Sequence, residues 1–250
     1  FTIPSNTHLT VKNKMKMLPT NVGAYFVFWE YGKENVIVDG GGTISGDNDW
    51  HRYEKAFAGS KYFGEWGQIF CCFRCHNFLF KDITLTDAFG DSILYMGSDR
   101  PWETGERWAS GLTLERVNVF RARRNDVSVG ARDVIIRNCR FESCGNQSVK
   151  GTSPRSGIDF EPDGITKYNE IGNQNVLMED CVFKDNYYDV GSFRNNMDKF
   201  GKIATTIRNC HFNSPLKIEG TNWMRFENCY IPFLHNSKYK TSRLDRKSVV

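Results

Sequence analysis

Helix formers are scarce in this chain of 250 residues, which holds eight Ala and eleven Leu. That is too few for a helical bundle, a coiled coil or a doubly wound α/β domain. Long apolar runs are missing: the longest, residues 24–29, falls far short of the roughly 20 residues that cross a bilayer as a helix, so no membrane span is expected. No charge of one sign dominates either. Lys and Arg number 33 and Asp and Glu 29, a net +4 with the signs alternating along the chain, unlike the clustered basic face of a nucleic-acid binder. Zinc spacing is absent as well. Cys71-Cys72-x-x-Cys75 with His76 has no second pair at ligand spacing, so Cys71 and Cys75 are read as core residues of a strand and no metal site is expected. What the chain has instead is 22 Gly, 21 Asn and 19 Phe among many Val, Ile and Thr, the balance of strands broken by turns.

A short pattern recurs: an apolar alternation, then Asn or Asp, a small apolar residue, any residue, and a larger apolar one. Asn138-Cys139-Arg140-Phe141, Asp180-Cys181-Val182-Phe183 and Asn209-Cys210-His211-Phe212 are the clearest copies, with Asp82-Ile83, Arg116-Val117 and Asn228-Cys229 in the same frame. Between positions 83, 117, 139, 181, 210 and 229 the steps are 34, 22, 42, 29 and 19 residues. A minimum near 20 with variable insertions fits a solenoid whose loops differ in length. A propeller needs a near-constant step of about 40, and a sandwich leaves the recurrent Asn-Cys-x-Phe unexplained. The expected fold is therefore all-β: a parallel β-helix with loop insertions, stacking Asn on Asn and Cys on Cys about 4.8 Å apart. The recurrent Cys are read as small buried hydrophobes, not disulfides. One domain is expected over 1–235, cut from a longer solenoid. A polar tail follows over 236–250, its last six residues reading like a translated sequencing adapter.

Asn35-Val36-Ile37-Val38-Asp39-Gly40-Gly41-Gly42 and the Asn-Cys-x-Phe ladder resemble the pectin-lyase-like right-handed β-helix superfamily, which includes polygalacturonases and phage tailspikes. The resemblance implies a carbohydrate-active protein, a hydrolase, lyase, epimerase or glycan-binding tailspike, located outside the cell, at its surface, in the periplasm or on a virion. Asn125-Asp126-Val127-Ser128 is similar to the Asp pair of polygalacturonases with one Asp replaced, while their Gly-His-Gly and Arg-Ile-Lys motifs have no counterpart. Gly157-Ile158-Asp159-Phe160-Glu161-Pro162 resembles a strand found in many uncharacterised β-helix proteins.

With Val127, Ile158, Val190 and Leu216 aligned inward, Asp126, Asp159, Glu161, Asp189, Lys217 and Glu219 are expected to point out. Asp126 and Asp159 then lie roughly 8 Å apart, and Asp159 and Glu161 roughly 6.7 Å. The first distance suits the acid and base of an inverting glycosidase. Asp126, Asp159, Glu161 and Asp189 are thus the candidate catalytic residues. Trp102, Trp108, Tyr187 and Tyr188 are expected as exposed sugar platforms, and Arg124, Lys150, Arg155 and Lys217 as partners of an acidic polysaccharide. No cofactor is expected for hydrolysis. A lyase reading instead has the carboxylates hold Ca²⁺ while Lys150, Arg155 or Lys217 removes a proton. A non-catalytic tailspike or adhesin is the third reading, a homotrimer where the enzyme is a monomer.

Overall fold

A computed structural model of the chain describes residues 1–18, 25–49, 51, 67–98, 108–146, 152–161, 173–192, 205–218 and 224–232, and the backbone of 234–235 and 243–244. Every strand pairing in it is parallel, and each coil of chain contributes to the same sheets in turn, forming the expected β-helix. Sheet 1 contains Glu34–Asp39, His76–Lys81, Ala109–Glu115, Gln174–Glu179, Thr205–Arg208 and Met224–Glu227. Sheet 2 runs from Lys14–Lys16 through Asn118–Phe120 and Arg140–Glu142 to Val182–Lys184. Sheet 3 takes in Tyr25–Tyr31, Gly67–Phe73, Ile93–Met96, Ser156–Phe160, Tyr188–Ser192 and Leu216–Ile218. Val127–Arg137 runs through sheets 3 and 1, pairing with both. The parallel pairing extends to Arg243–Leu244.

The repeat is the corner between sheets 1 and 2. Asp82, Arg116, Asn138, Asp180, Asn209 and Asn228 all have φ between 48° and 53°, the left-handed region that Asn and Asp tolerate best after Gly. A residue there turns the chain sharply enough to end one strand and begin the next. The following Cys139, Cys181, Cys210 and Cys229 are all free and buried, each thiol donating to the carbonyl two residues before it at 3.2–3.3 Å. Phe141, Phe183 and Phe212 then stack inward with ring centroids 5.0 and 4.9 Å apart. Of the other cysteine group, Cys72 faces the core beside Tyr95, while Cys71 falls on the outer side next to Leu94. Strand alternation thus corrects the expectation that Cys71 faces inward, although it too is buried.

Two further ladders become visible only with the coils in register. Asn6, Asn35 and Asn77 form a second left-handed corner, linked by side-chain amide bonds of 2.9 and 3.1 Å. Gly111 continues this column, where a Cβ would sit 2.5 Å from Asn77 Oδ1. Just before the first corner, Lys81, Glu115, Arg137, Glu179, Arg208 and Glu227 neighbour one another in sequence across the rungs. Their charges alternate without a break, with Arg137 Nη2 2.7 Å from Glu115 and Arg208 Nε 2.7 Å from Glu179.

Candidate functional site

Sheet 3 carries the candidate residues, and its register decides which of them face out. Val127 pairs with Ile93 and Ile158 inside, so Ser128 lies beside Leu94 and Asp159 on the outer face. Asp159 neighbours Gly191, and Gly191 neighbours Lys217. Phe160 faces in, so Glu161, the next residue, faces out again, two positions from Asp159. Glu161 keeps its place by donating its N–H to the Val129 carbonyl at 2.8 Å.

Asp126 and Asp189 do not join this face, which corrects the expectation for both. Asp126 precedes the paired part of its strand, and its carboxylate folds back into the turn, where Oδ1 accepts the Ala122 N–H at 3.3 Å. Asp189 Oδ2 accepts the N–H groups of Asn213 and Ser214, both at 2.6 Å, and Oδ1 accepts Asn186 Nδ2 at 2.9 Å. Each carboxylate serves backbone donors that the turns leave without strand partners. Burial pushes the Asp126 carboxyl well above its ordinary pKa and raises that of Asp189 against the pull of its N–H donors. The expected pair of Asp126 and Asp159 is therefore not formed.

A polar network joins the outward carboxylates, and its centre is a residue the repeat did not reveal. Asp91, fully buried, sits one coil before Asn125. Its Oδ2 accepts from Arg124 Nη1 at 2.6 Å and from Ser128 Oγ at 2.8 Å, and its Oδ1 accepts from the Asn125 N–H at 3.1 Å. The amide of Asn125 donates to Ser128 Oγ at 2.9 Å and reaches Asp159 Oδ2 at 3.4 Å. Arg124 Nη2 lies 3.8 Å from Glu161 Oε1. Burial raises the pKa of Asp91, opposed chiefly by the charge of Arg124. Its alignment with Asn125 is the sequence signal that could have found it.

Asp159 is 2% exposed and the Glu161 side chain 21%. Beside them, Arg155, Tyr187, Tyr188 and Lys217 lie together. The Arg155 guanidinium lies 3.7 Å over the Tyr187 ring, the two tyrosines meet edge to face at 4.7 Å, and Lys217 Nζ lies 5.7 Å from the Tyr188 ring centre. Trp108 is not an exposed platform: it is buried, with the Arg132 guanidinium 4.3 Å over its indole. Trp102, Lys150 and Glu219 lie outside the described residues. Among the described residues no group of three or more His, Cys, Asp and Glu side chains gathers as a metal centre requires, and no helix is long and apolar enough to cross a membrane.

No family model matches the chain. It is 28% identical over 221 residues to the uncharacterized protein YclG of Bacillus subtilis (strain 168), a match covering 86% of this chain and 35% of that protein. The chain thus spans about a third of the curated relative's length. Among solved structures, it is similar to a tailspike protein of Acinetobacter baumannii bacteriophage Fri1, a capsular polysaccharide depolymerase. Identity there is 17%, covering 82% of this chain and 39% of that one, with a TM-score of 0.40. It is also similar to the polygalacturonase of Erwinia carotovora ssp. carotovora at 8% identity, covering 98% and 85% of the two chains with a TM-score of 0.40.

Proposed function

We propose that the protein binds a polysaccharide along the outer face of sheet 3 and hydrolyses it, with Asp159 and Glu161 as the working carboxylates. The observation that carries this reading is the placement of the two acids, two residues apart on one face and joined through one buried network to Arg124. Their backbone spacing along the strand is roughly 6.7 Å, and carboxyl groups about 6.5–9.5 Å apart leave room for a water between acid and base in inverting hydrolysis. Glu161, the more open, takes the proton of the attacking water. Asp159, enclosed, delivers a proton to the leaving glycosidic oxygen, so the bond from the anomeric carbon to that oxygen breaks as the bond to water forms. Gly191 stands between Asp159 and Lys217 on neighbouring rungs and adds no side chain there. The resemblance carried by residues 35–46 and the Asn-Cys-x-Phe ladder agrees with this activity. Assaying new reducing ends on a panel of polysaccharides, with the wild type beside Asp159→Asn and Glu161→Gln, tests it. Undiminished release by either variant removes that residue from the mechanism.

A further inference from the structure

We infer that the outer face of sheet 1 binds a second copy of this chain, giving a two-fold dimer with the two solenoids antiparallel. The inference concerns a different face from the one read as glycan-binding and does not depend on that reading. Sheet 1 strands turn alternate residues outward, as Asn35, Ile37 and Asp39 show. The middle positions form one column over six rungs. Ile37, Leu79, Thr113, Ile135, Leu177 and Thr206 neighbour one another in turn. Ile37 is 36% exposed and Ile135 38%. The water-facing side of a strand is ordinarily polar, and a contiguous apolar stripe left open marks a contact surface. Charge closes the column at both ends, with His8 beside Ile37 and Arg225 beside Thr206.

The charge row next to this column identifies the occupant. Over the same six rungs it reads Asp39, Lys81, Glu115, Arg137, Glu179 and Arg208. Asp39 takes its place because it follows Val38, whose partner Phe80 precedes Lys81. Six alternating charges complement their own reversed order. A two-fold axis along the strands, midway between the rungs of Thr113 and Ile135, lays a second copy face to face with its rungs reversed. Glu115 then faces Arg137 of the second copy, Lys81 faces Glu179, and Asp39 faces Arg208. In the apolar column the same axis sets Thr113 against Ile135, Leu79 against Leu177, and Ile37 against Thr206. The midpoint of the apolar column is thus also a point about which every charge meets its opposite. An axis through a rung would oppose like charges throughout, so the row selects the register as well as the partner. Arg137 and Arg208 each keep a carboxylate of their own chain at 2.7 Å, so the contact leaves neither buried alone. Six rungs by three outward positions cover on the order of 500 Å² per copy. That total lies near the lower bound of a specific interface, which fits a dimer that dissociates on dilution.

Sedimentation velocity on the chain over about 1–200 μM tests the contact by mass action. The mass is expected to rise from 28.8 kDa toward twice that value with concentration. Ile135→Glu, which sets an unpaired charge at the centre of the column, is expected to raise the Kd about tenfold or more, with circular dichroism confirming its strand content. Cross-linking reads the antiparallel order without disturbing the centre. Chains carrying Ile37→Cys are mixed with chains carrying Thr206→Cys and treated with a bismaleimide spanning about 10 Å, the separation of two facing sheets. Ile37→Cys is expected to join Thr206→Cys, whereas two copies of either variant hold their new thiols five rungs, about 24 Å, apart. The eight native cysteines are buried, and the wild type serves as the control for them. A single mass of 28.8 kDa at every concentration, a trimer, an unchanged Kd in Ile135→Glu, or cross-linking within either variant alone each overturns the dimer. None of these outcomes bears on turnover at sheet 3.

Discussion

Asp91 and Arg124 lie on successive coils and meet at 2.6 Å, Nη1 to Oδ2, with the carboxylate fully buried. A charge taken from water needs such a partner to persist inside a protein. The pair carries the rest of the site: Ser128 and the Asn125 N–H bond the same carboxylate, and Arg124 extends toward Glu161. Asp91→Ala leaves Arg124 without its main anchor and is expected to cost about 3 kcal/mol, read as a shift in the urea midpoint with an unchanged slope. Asp91→Asn keeps an acceptor and costs less. An unchanged midpoint in Asp91→Ala contradicts the hub.

Asp126 gives a pH signature. Burial raises its pKa in the folded state, so the folded chain holds the proton more tightly than the unfolded chain does. The group's contribution therefore favours folding at low pH and is lost as pH rises from the ordinary carboxylate range through the folded pKa. Asp126→Asn keeps an oxygen for the Ala122 N–H and removes the buried charge. It is expected to melt higher than the wild type at neutral pH, the difference shrinking toward pH 4. The reverse order at pH 7 means that Asp126 acts as a stabilising anion.

The corner ladder is tested at Asn138, whose φ is 53°. Asn138→Ala places a residue with a poorer left-handed preference there and is expected to cost about 1 kcal/mol, whereas Asn138→Gly stays within a few tenths of the wild type. Phe183→Ala, which empties the centre of the phenylalanine stack, is expected to cost about 3–5 kcal/mol. Thermal or urea unfolding reads all three.

The charge row before that corner acts on register. Glu179→Arg puts three arginines in succession on neighbouring rungs with Arg137 and Arg208. The variant is expected to have a lower Tm at low salt and to recover most of the loss at high salt, where exposed charges are screened. A salt-independent loss points to packing instead.

How much of this could be read beforehand depended on whether a residue repeats. The recurrent Asn-Cys-x-Phe carried the fold because one physical need, a left-handed corner followed by a buried small and a buried large side chain, returns in coil after coil. The outward placement of Lys217 was legible because strand alternation sets it, whereas the meeting of Arg155 with Tyr187 depends on register between coils. Asp126 was misread because alternation was extended one residue beyond the first paired position, where the turn rather than the strand sets the side chain. Trp108 was misread because an aromatic beside an insertion looks the same whether Arg132 covers it or not. Asp91 and the charge row were invisible for another reason: each has meaning only beside residues 19–42 positions away, once the register is known.

The central claim is that one face of this solenoid breaks a glycosidic bond by hydrolysis with Asp159 and Glu161. It is tested most directly by incubating wild type, Asp159→Asn and Glu161→Gln with a polyuronate, following reducing ends together with ultraviolet absorbance. The account predicts reducing ends from the wild type, a loss of about a hundredfold or more in each variant, and no absorbance from unsaturated sugar. Equal rates in the variants, or product that absorbs as an unsaturated uronate, contradicts it.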